Sequence, residues 1–254
     1  MPFDGFPEYV SVAERKAKAQ KAVDKLKKKN PDINPVIIEG RKLANTWWAK
    51  AWNDNLESYL DYANRIERGR SYVRNSAVLD LKIKEGSVVA LVQGSGSKPY
   101  EVKIVIDKIK DDIWREIKKS CEGKIESLQE LIDGKFPKSL SELFTSKGNG
   151  LFPSPKEISL NCSCPDYAVM CKHVAAALYG IGARLDQNPG LFFTLRGINM
   201  EELISEAIKG KSETMLGKAG VKSRRILQDA DITAVFGVDV ENVEKKREPK
   251  KKKT

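Results

Sequence analysis

The stretch "NCSCPDYAVMCKHVAAALYG", residues 161–180, holds three of the four cysteines of the chain and its single histidine. These residues fall within twelve positions in the pattern Cys-x-Cys-x6-Cys-x-His. A chain with so few cysteines has no disulfide framework, and thiols crowded beside an imidazole are typical of a metal site in a reducing compartment. The candidate metal ligands are Cys162, Cys164, Cys171 and His173.

Local chain geometry predicts that these four side chains share one ion. Cys162 and Cys164 are two residues apart in an extended segment and project to the same side, and Pro165-Asp166 supplies a turn after them. The following segment "KHVAAALYGIGARL" predicts a helix, so Cys171 is expected just before that helix and His173 in its first turn. The helix N-terminus then favours the thiolate of Cys171.

Three sulfurs and one imidazole form the closed tetrahedral set that structural zinc sites use, so Zn²⁺ is the predicted cofactor. Catalytic zinc keeps an open position, and a zinc deaminase needs His-x-Glu and Cys-x-x-Cys, which the sequence lacks. A Cys/His nucleophile or a Cys-x-Cys redox couple is an alternative that leaves part of the set unused. We therefore assign no catalytic residue and expect that the chain is not an enzyme.

Hydrophobic periodicity elsewhere predicts an α+β fold with a helix and a three-stranded antiparallel meander in its body. The predicted elements are a helix over 12–29, a helix over 47–66 capped by Thr46, strands over 78–84, 88–93 and 100–106, a helix over 111–133, and short helices over 200–209 and 223–230. The thin stripe of Ala19, Val23 and Leu26 offers the first helix a contact with the body or a partner.

Three features near these elements have two interpretations each. The tryptophans at 48 and 52 recur at helical spacing, which favours core packing over base stacking. Cys121 falls on the apolar side of its helix and is interpreted as a small core residue. The segment "GSGSK", residues 94–98, resembles a phosphate cradle, but it lies between two strands with no helix after it, which favours a hairpin loop.

The net charge of +10 is concentrated at the two ends of the chain. Residues 1–30 hold eight Lys and Arg against four Asp and Glu, residues 245–254 hold seven against one, and residues 31–244 are balanced. Basic ends attract polyanions through a sequence-independent force, but the pattern of the lysine-rich tail favours a solvated, disordered appendage.

Four arginines within ten positions form the best basic patch inside the body. They stand beside Tyr72 and are Arg65, Arg68, Arg70 and Arg74. Guanidinium groups pair with phosphates and an aromatic ring offers a stacking surface, so these arginines are candidate nucleic-acid contacts. The alternative is that they neutralise carboxylates of the protein itself.

The ligand spacing, followed directly by the small-residue helix "VAAAL", resembles the SWIM zinc finger. The segments "TWWAKAW", "ERGRSYVRNSAVLDLKI", "VVALVQGSGSKPYEVKI" and "LFFTLRGINMEEL" are similar to prokaryotic SWIM zinc finger family proteins, over roughly residues 45–240. The resemblance implies a zinc-bound ββα finger at Cys162, Cys164, Cys171 and His173, a setting beside a Snf-type DNA translocase or helicase, and a role in binding DNA or proteins. The alternative function is a protein-docking subunit without nucleic-acid contact.

Composition shifts and loop signals suggest a division of the chain. The predicted parts are a basic N-terminal helix or arm (1–35), an α+β body (36–150), the SWIM finger (151–186), a helical C-terminal part (187–244) and a disordered Lys-rich tail (245–254). The start of the chain has no leader pattern and the sequence has no long apolar run, so we expect a cytoplasmic location and no membrane partner.

Overall fold

In a computed structural model, helices surround one antiparallel sheet, and the predicted α+β class is confirmed. The structure describes residues 11–58, 63–125, 127–166 and 168–207, with the backbone alone at 63 and 64. The helices are α1 (Val12–Lys27), α2 (Trp47–Glu57), α3 (Ala63–Arg74), α4 (Asp111–Cys121), α5 (Leu128–Asp133), α6 (Lys138–Phe144), α7 (Lys172–Gln187), α8 (Gly190–Leu195) and α9 over 200–207. The strands are β1 (Val78–Lys84), β2 (Ser87–Val92), β3 (Tyr100–Ile106) and β4 (Ile158–Cys162).

The predicted meander is present and gains a fourth strand from the cysteine-rich segment. The strands pair antiparallel in the order β1-β2-β3-β4, and residues 94–98 lie in the hairpin loop between β2 and β3, as predicted. Strand β4 pairs with β3 and brings Cys162 opposite Val102. The strand that ends at Cys162 therefore pairs with the body of the protein. A ββα finger was expected, but among the described residues of 151–186 β4 is the one strand, and its partner is β3.

Helix α7, which begins at the cysteine cluster, is the central helix of the fold. Every residue from His173 to Leu185 is buried, because the helix packs on the sheet on one side and on α2 and α3 on others. Small residues allow this close approach: a Cβ built on Gly69 of α3 would lie 2.5 Å from the Cβ of Ala175. A Cβ on Gly180 would lie 2.7 Å from a methyl carbon of Leu81.

Helix α2 supplies the aromatic core. Its N-cap is Thr46, as predicted, whose hydroxyl accepts a hydrogen bond from the amide of Ala49. Trp48 and Trp52 are fully buried, and their indole N–H groups donate to the carbonyl oxygens of Leu131 and Leu178, each at 2.9 Å. The packing interpretation is confirmed, and base stacking by these two rings is excluded.

Two predicted helices are each divided in two. The helix expected over 47–66 ends at Glu57, where the Ser58 hydroxyl donates to the carbonyl of Asn55, and the arginine-rich segment forms the separate helix α3. The helix expected over 111–133 breaks at Gly123, whose φ of 66° is left-handed, and restarts with Ser127 as N-cap of α5. The helical spacing of apolar residues continues across both breaks, so this spacing alone does not predict them. The turn residues Ser58 and Gly123 determine where the helices end.

Helix α1 packs on the outer side of the sheet. Ala19 and Val23 are buried against Leu79 of β1 and against Ile33, which lies between α1 and α2. The contact with the body predicted for this stripe is confirmed. The buried thiol of Cys121 has its pKa raised by burial to about 12, in agreement with a core role. Helix α9 confirms the start of the helix predicted over 200–209, whereas the predicted helix over 223–230 and the basic tail lie outside the described residues.

A buried ion pair holds the segment that leads into β4. The guanidinium of Arg196, which is 1% exposed, contacts the carboxylate of Glu157 at 2.8 Å and donates to the carbonyl of Asp107. Burial acts to raise the pKa of Glu157, but hydrogen bonds from Ser154 and Arg196 lower it further than burial raises it.

Among the described helices, none is long and apolar enough to cross a membrane.

The contact between α3 and α7 generates a prediction for Gly69→Ala. The added methyl would overlap Ala175, so we expect the free energy of unfolding to fall by about 1 to 3 kcal/mol. Glu67→Ala, on the exposed side of the same helix, is the matched control and should change it by less than about 0.5 kcal/mol. Chemical denaturation of zinc-loaded protein measures both, and equal effects would contradict the close packing.

Candidate metal centre

The four predicted ligands converge on one point. One ligand atom from each of Cys162, Cys164, Cys171 and His173 lies within 4.8 Å of all the others. The Nδ1 atom of His173 is 3.8 Å from the sulfur of Cys171 and 4.0 Å from that of Cys162. A tetrahedral zinc site with Zn–S bonds of about 2.3 Å places its sulfurs about 3.8 Å apart, so the spacing and the donor types fit zinc.

Sheet pairing and a helix cap place the ligands. Cys162 ends β4, and the pairing with β3 continues beyond it because the amide of Ser163 donates to the carbonyl of Glu101 at 2.9 Å. Cys171 is the N-cap of α7, where its sulfur accepts from the amide of Val174 at 3.5 Å, and His173 lies in the first turn. Both predicted positions are confirmed, and the N-terminal end of the helix dipole faces the sulfur of Cys171.

The loop between the two ligand pairs is tied to α3. The carboxylate of Asp166 accepts a hydrogen bond from the amide of Ala168 at 3.2 Å and forms an ion pair with Arg65. The Ala168 hydrogen bond and, to a smaller extent, the Arg65 guanidinium lower the pKa of this carboxyl group. The loop therefore has a charged anchor outside the ligand set.

The imidazole of His173 sits in an apolar and aromatic enclosure. Its ring centroid is 4.5 Å from that of Tyr100 and 5.5 Å from that of Tyr72, and a Cβ built on Gly94 would lie 2.8 Å from its Nε2 atom. Burial, with a smaller effect of Lys172, lowers the pKa of His173 to about 4. The ring is therefore neutral at physiological pH, with Nδ1 directed at the sulfurs and ready to bind metal.

Burial opposes thiolate formation at two of the neighbouring cysteines. Burial raises the pKa of Cys162 to about 12 and also raises the pKa of Cys171. Catalytic and redox cysteines need lowered pKa values that keep the thiolate populated, which burial opposes here. The chemistry that this set of residues supports is the binding of a metal ion, with loss of the thiol protons on binding.

Comparison with known proteins agrees with this geometry. The model of the family described as SWIM zinc finger matches residues 148–180, which include all four ligands. The chain contains a SWIM zinc finger. The match confirms the resemblance to the SWIM zinc finger that the sequence predicted. It agrees with the expected ligand set, with zinc as the metal and with the helix that follows the ligands.

A relative extends the similarity beyond the SWIM finger. The chain is 35% identical over 172 residues to the uncharacterized protein Rv2102 of Mycobacterium tuberculosis, an alignment that covers 67% of this chain and 62% of that protein. The chain thus spans less than two thirds of the length of this relative. No solved structure matches the chain.

The four arginines predicted to contact nucleic acid separate into two kinds. Arg65 is paired with Asp166 of the SWIM finger, and Arg70 forms an ion pair with Glu57 and donates to the hydroxyl of Tyr179 at 2.9 Å. These two pairs match the alternative interpretation, in which arginines neutralise carboxylates of the protein. The other two, Arg68 and Arg74, are exposed, and nucleic-acid contact by them stays a prediction.

Sequence reasoning missed the residues that enclose the imidazole. Tyr100 and Gly94 flank the hairpin loop, and Asp166 was expected only to help form a turn. They reach the SWIM finger through the pairing of β3 with β4 and the packing of α3 on α7, which are contacts between distant parts of the chain. Tyr72, which the sequence places beside the clustered arginines, is the one signal of this enclosure within that segment.

The closed ligand set predicts one zinc per chain that depends on each ligand. Cys164→Ser and His173→Ala should each reduce the zinc content well below one and lower the melting temperature, because the loss of one ligand opens the site. Cys121→Ala is the control, since this cysteine lies outside the set, and it should keep stoichiometric zinc. Elemental analysis of the purified, reduced proteins measures the content, and equal zinc in all variants would contradict the assignment.

Proton release should make zinc affinity steeply dependent on pH. Three thiols lose protons on binding, whereas His173, with its pKa lowered to about 4, is already neutral. Between pH 5.5 and 7.5 the logarithm of the apparent affinity should therefore rise with a slope of about three per pH unit. Competition with a chelator of known proton affinity measures the slope, and a value of about one would show that fewer thiolates bind.

Proposed function

We propose that the chain is a zinc-dependent accessory protein that binds DNA and acts beside a Snf-type DNA translocase or helicase. The observation that carries the proposal is the closed set of three sulfurs and one imidazole at the start of the central helix. Such a set leaves no position for a water or a substrate, so the metal stabilises the fold and performs no chemistry. We therefore place the function in what the surface binds, and we propose that the protein is not an enzyme.

The surface beside the SWIM finger supports DNA as the ligand. Arg68 is exposed on α3, one helical turn from Arg65, which anchors the metal loop, and one turn from Tyr72, which contacts His173. Within the described residues Arg68 has no carboxylate partner, so its guanidinium is available for a phosphate. The basic ends of the chain add long-range attraction for a polyanion.

The proposal of a translocase partner rests on the resemblance of the SWIM finger and its flanking segments to SWIM proteins of prokaryotes.

A specific observation favours the second candidate function, a docking subunit that contacts the translocase and no nucleic acid. Residues 31–244 carry no net charge, and two of the four clustered arginines are consumed by internal ion pairs. A protein whose only ligand is DNA would be expected to carry a larger positive charge on its folded part.

Salt-dependent DNA binding tests the proposal directly. Fluorescence anisotropy with a short DNA duplex should show that log affinity falls linearly with log salt concentration. Arg68→Gln should reduce the slope by about 0.9, the value for one lost phosphate contact. Arg115→Gln, which removes an exposed arginine from α4, is the matched control and should keep the wild-type slope.

The second candidate predicts different results for the same proteins. Under it, the zinc-loaded chain binds no duplex at low salt, while a tagged copy in the native host still captures a translocase. Deletion of 245–254 separates a tail effect from the folded surface: DNA binding that disappears entirely with the tail and is unaffected by Arg68→Gln would contradict the proposed role of the SWIM surface.

A further inference from the structure

Helix α1 brings positive charge to the metal centre, although it lies outside the segments that resemble SWIM proteins. The ammonium group of Lys18 donates to the carbonyl of Ser95 at 3.0 Å. Ser95 follows Gly94, the residue whose backbone lies against the imidazole of His173. Lys18 has three donors and uses one of them in this contact, so two donors remain for a ligand.

Helices α1 and α3 lie side by side, because Val12 of α1 lines one depression together with Arg70 and Arg74 of α3. The ring of Tyr72 contacts His173 edge-on, with 5.5 Å between the ring centroids. Arg68 is four residues before Tyr72 on α3, and Arg15 is three residues before Lys18 on α1, so each arginine lies one helical turn from a residue that borders the metal centre. Arg15 and Arg68 are both exposed.

The start of α7 extends the same positive region. Lys172 is the first residue of α7 and lies in the chain between the ligands Cys171 and His173. Cations from three separate elements therefore border one metal centre: Arg15, Lys18, Arg68 and Lys172.

Two of the neighbouring carboxylates are already bonded within the protein. Asp166 is paired with Arg65, and Glu14 of α1 closes its own capping box by accepting from the hydroxyl and amide of Ser11. Within the described residues Arg15, Arg68 and Lys172 form no ion pair and Lys18 bonds to a backbone carbonyl, so the region keeps an excess of positive charge beside the exposed Glu67.

The aromatic rings of this region indicate which form of nucleic acid it suits. Proteins that bind single strands stack bases on exposed rings, whereas duplex binding depends on contacts with phosphates. Tyr72 and Tyr100 are both directed at His173 and only partly exposed, so they offer no free stacking surface. Three exposed cations and the half-buried Lys172, beside rings that are enclosed, favour the backbone of a duplex as the ligand.

We propose that Arg15, Lys18, Arg68 and Lys172 form one phosphate-binding surface across α1, α3 and the start of α7, and that its ligand is the backbone of duplex DNA. This inference rests on the proposed DNA-binding function and adds to it a binding role for α1. Ala19 and Val23 pack on the sheet that also pairs with the strand of the SWIM finger. This packing fixes the position of α1, and with it the positions of its charges.

The test compares two sides of the same helix in the full, zinc-loaded chain. Arg15→Gln/Lys18→Gln removes the charges on the side of α1 that faces the metal centre. Lys16→Gln/Lys27→Gln removes two exposed charges from the opposite side, where Lys27 borders a depression lined by Asn34 and Arg184. Each variant loses two positive charges, and zinc content and melting temperature verify that both remain folded.

Anisotropy with a random-sequence DNA duplex over a series of salt concentrations gives the result. We expect the log-log salt slope to fall by about two for Arg15→Gln/Lys18→Gln and to stay at the wild-type value for Lys16→Gln/Lys27→Gln. Equal changes in both variants, or no change in either, would overturn the surface while leaving DNA binding in place. Tighter binding of single-stranded than of duplex DNA would overturn the choice of ligand, and a wild-type chain that binds no DNA would overturn the proposed function itself.

Discussion

The convergence of three sulfurs and one imidazole nitrogen at the junction of β4 and α7 is the constraint on which the rest of the structure depends. Three thiols and an imidazole crowded into a largely buried site are costly without a ligand, and a shared metal ion would bind all four donor atoms at once. Because α7 is the central helix, the site fixes the start of the element on which the sheet, α2 and α3 pack. Metal binding in such an arrangement contributes directly to folding.

Contacts around α7 extend this constraint across the molecule. At its C-terminal end, the carboxylate of Asp186 accepts hydrogen bonds from the amide and hydroxyl of Thr46, the N-cap of α2. In its middle, the Tyr179 hydroxyl donates to Glu57 and accepts from Arg70, so one side chain joins α2, α3 and α7. The basic surface proposed beside the metal centre is therefore carried by helices whose positions are fixed by packing and by the SWIM finger together.

The sequence was informative where local chemistry dominates. The ligand identities, the N-cap position of Cys171, the meander and the burial of Trp48 followed from spacing and short-range periodicity. Contacts between distant segments were not accessible: the pairing of β4 with β3, the central place of α7, and the capture of Arg65 by Asp166 depend on tertiary packing that a single sequence does not reveal. Helix breaks at Ser58 and Gly123 were missed because apolar spacing continued through them.

X-ray absorption spectroscopy at the zinc edge of the purified, reduced protein tests the central claim most directly. The account predicts a single class of four-coordinate zinc, with three sulfur ligands at about 2.3 Å and one imidazole nitrogen at about 2.0 Å. An oxygen ligand from water would contradict it, because the ion would then have an open position for chemistry. A first shell with fewer than three sulfurs would contradict it as well, because the cysteine residues would then not close the site.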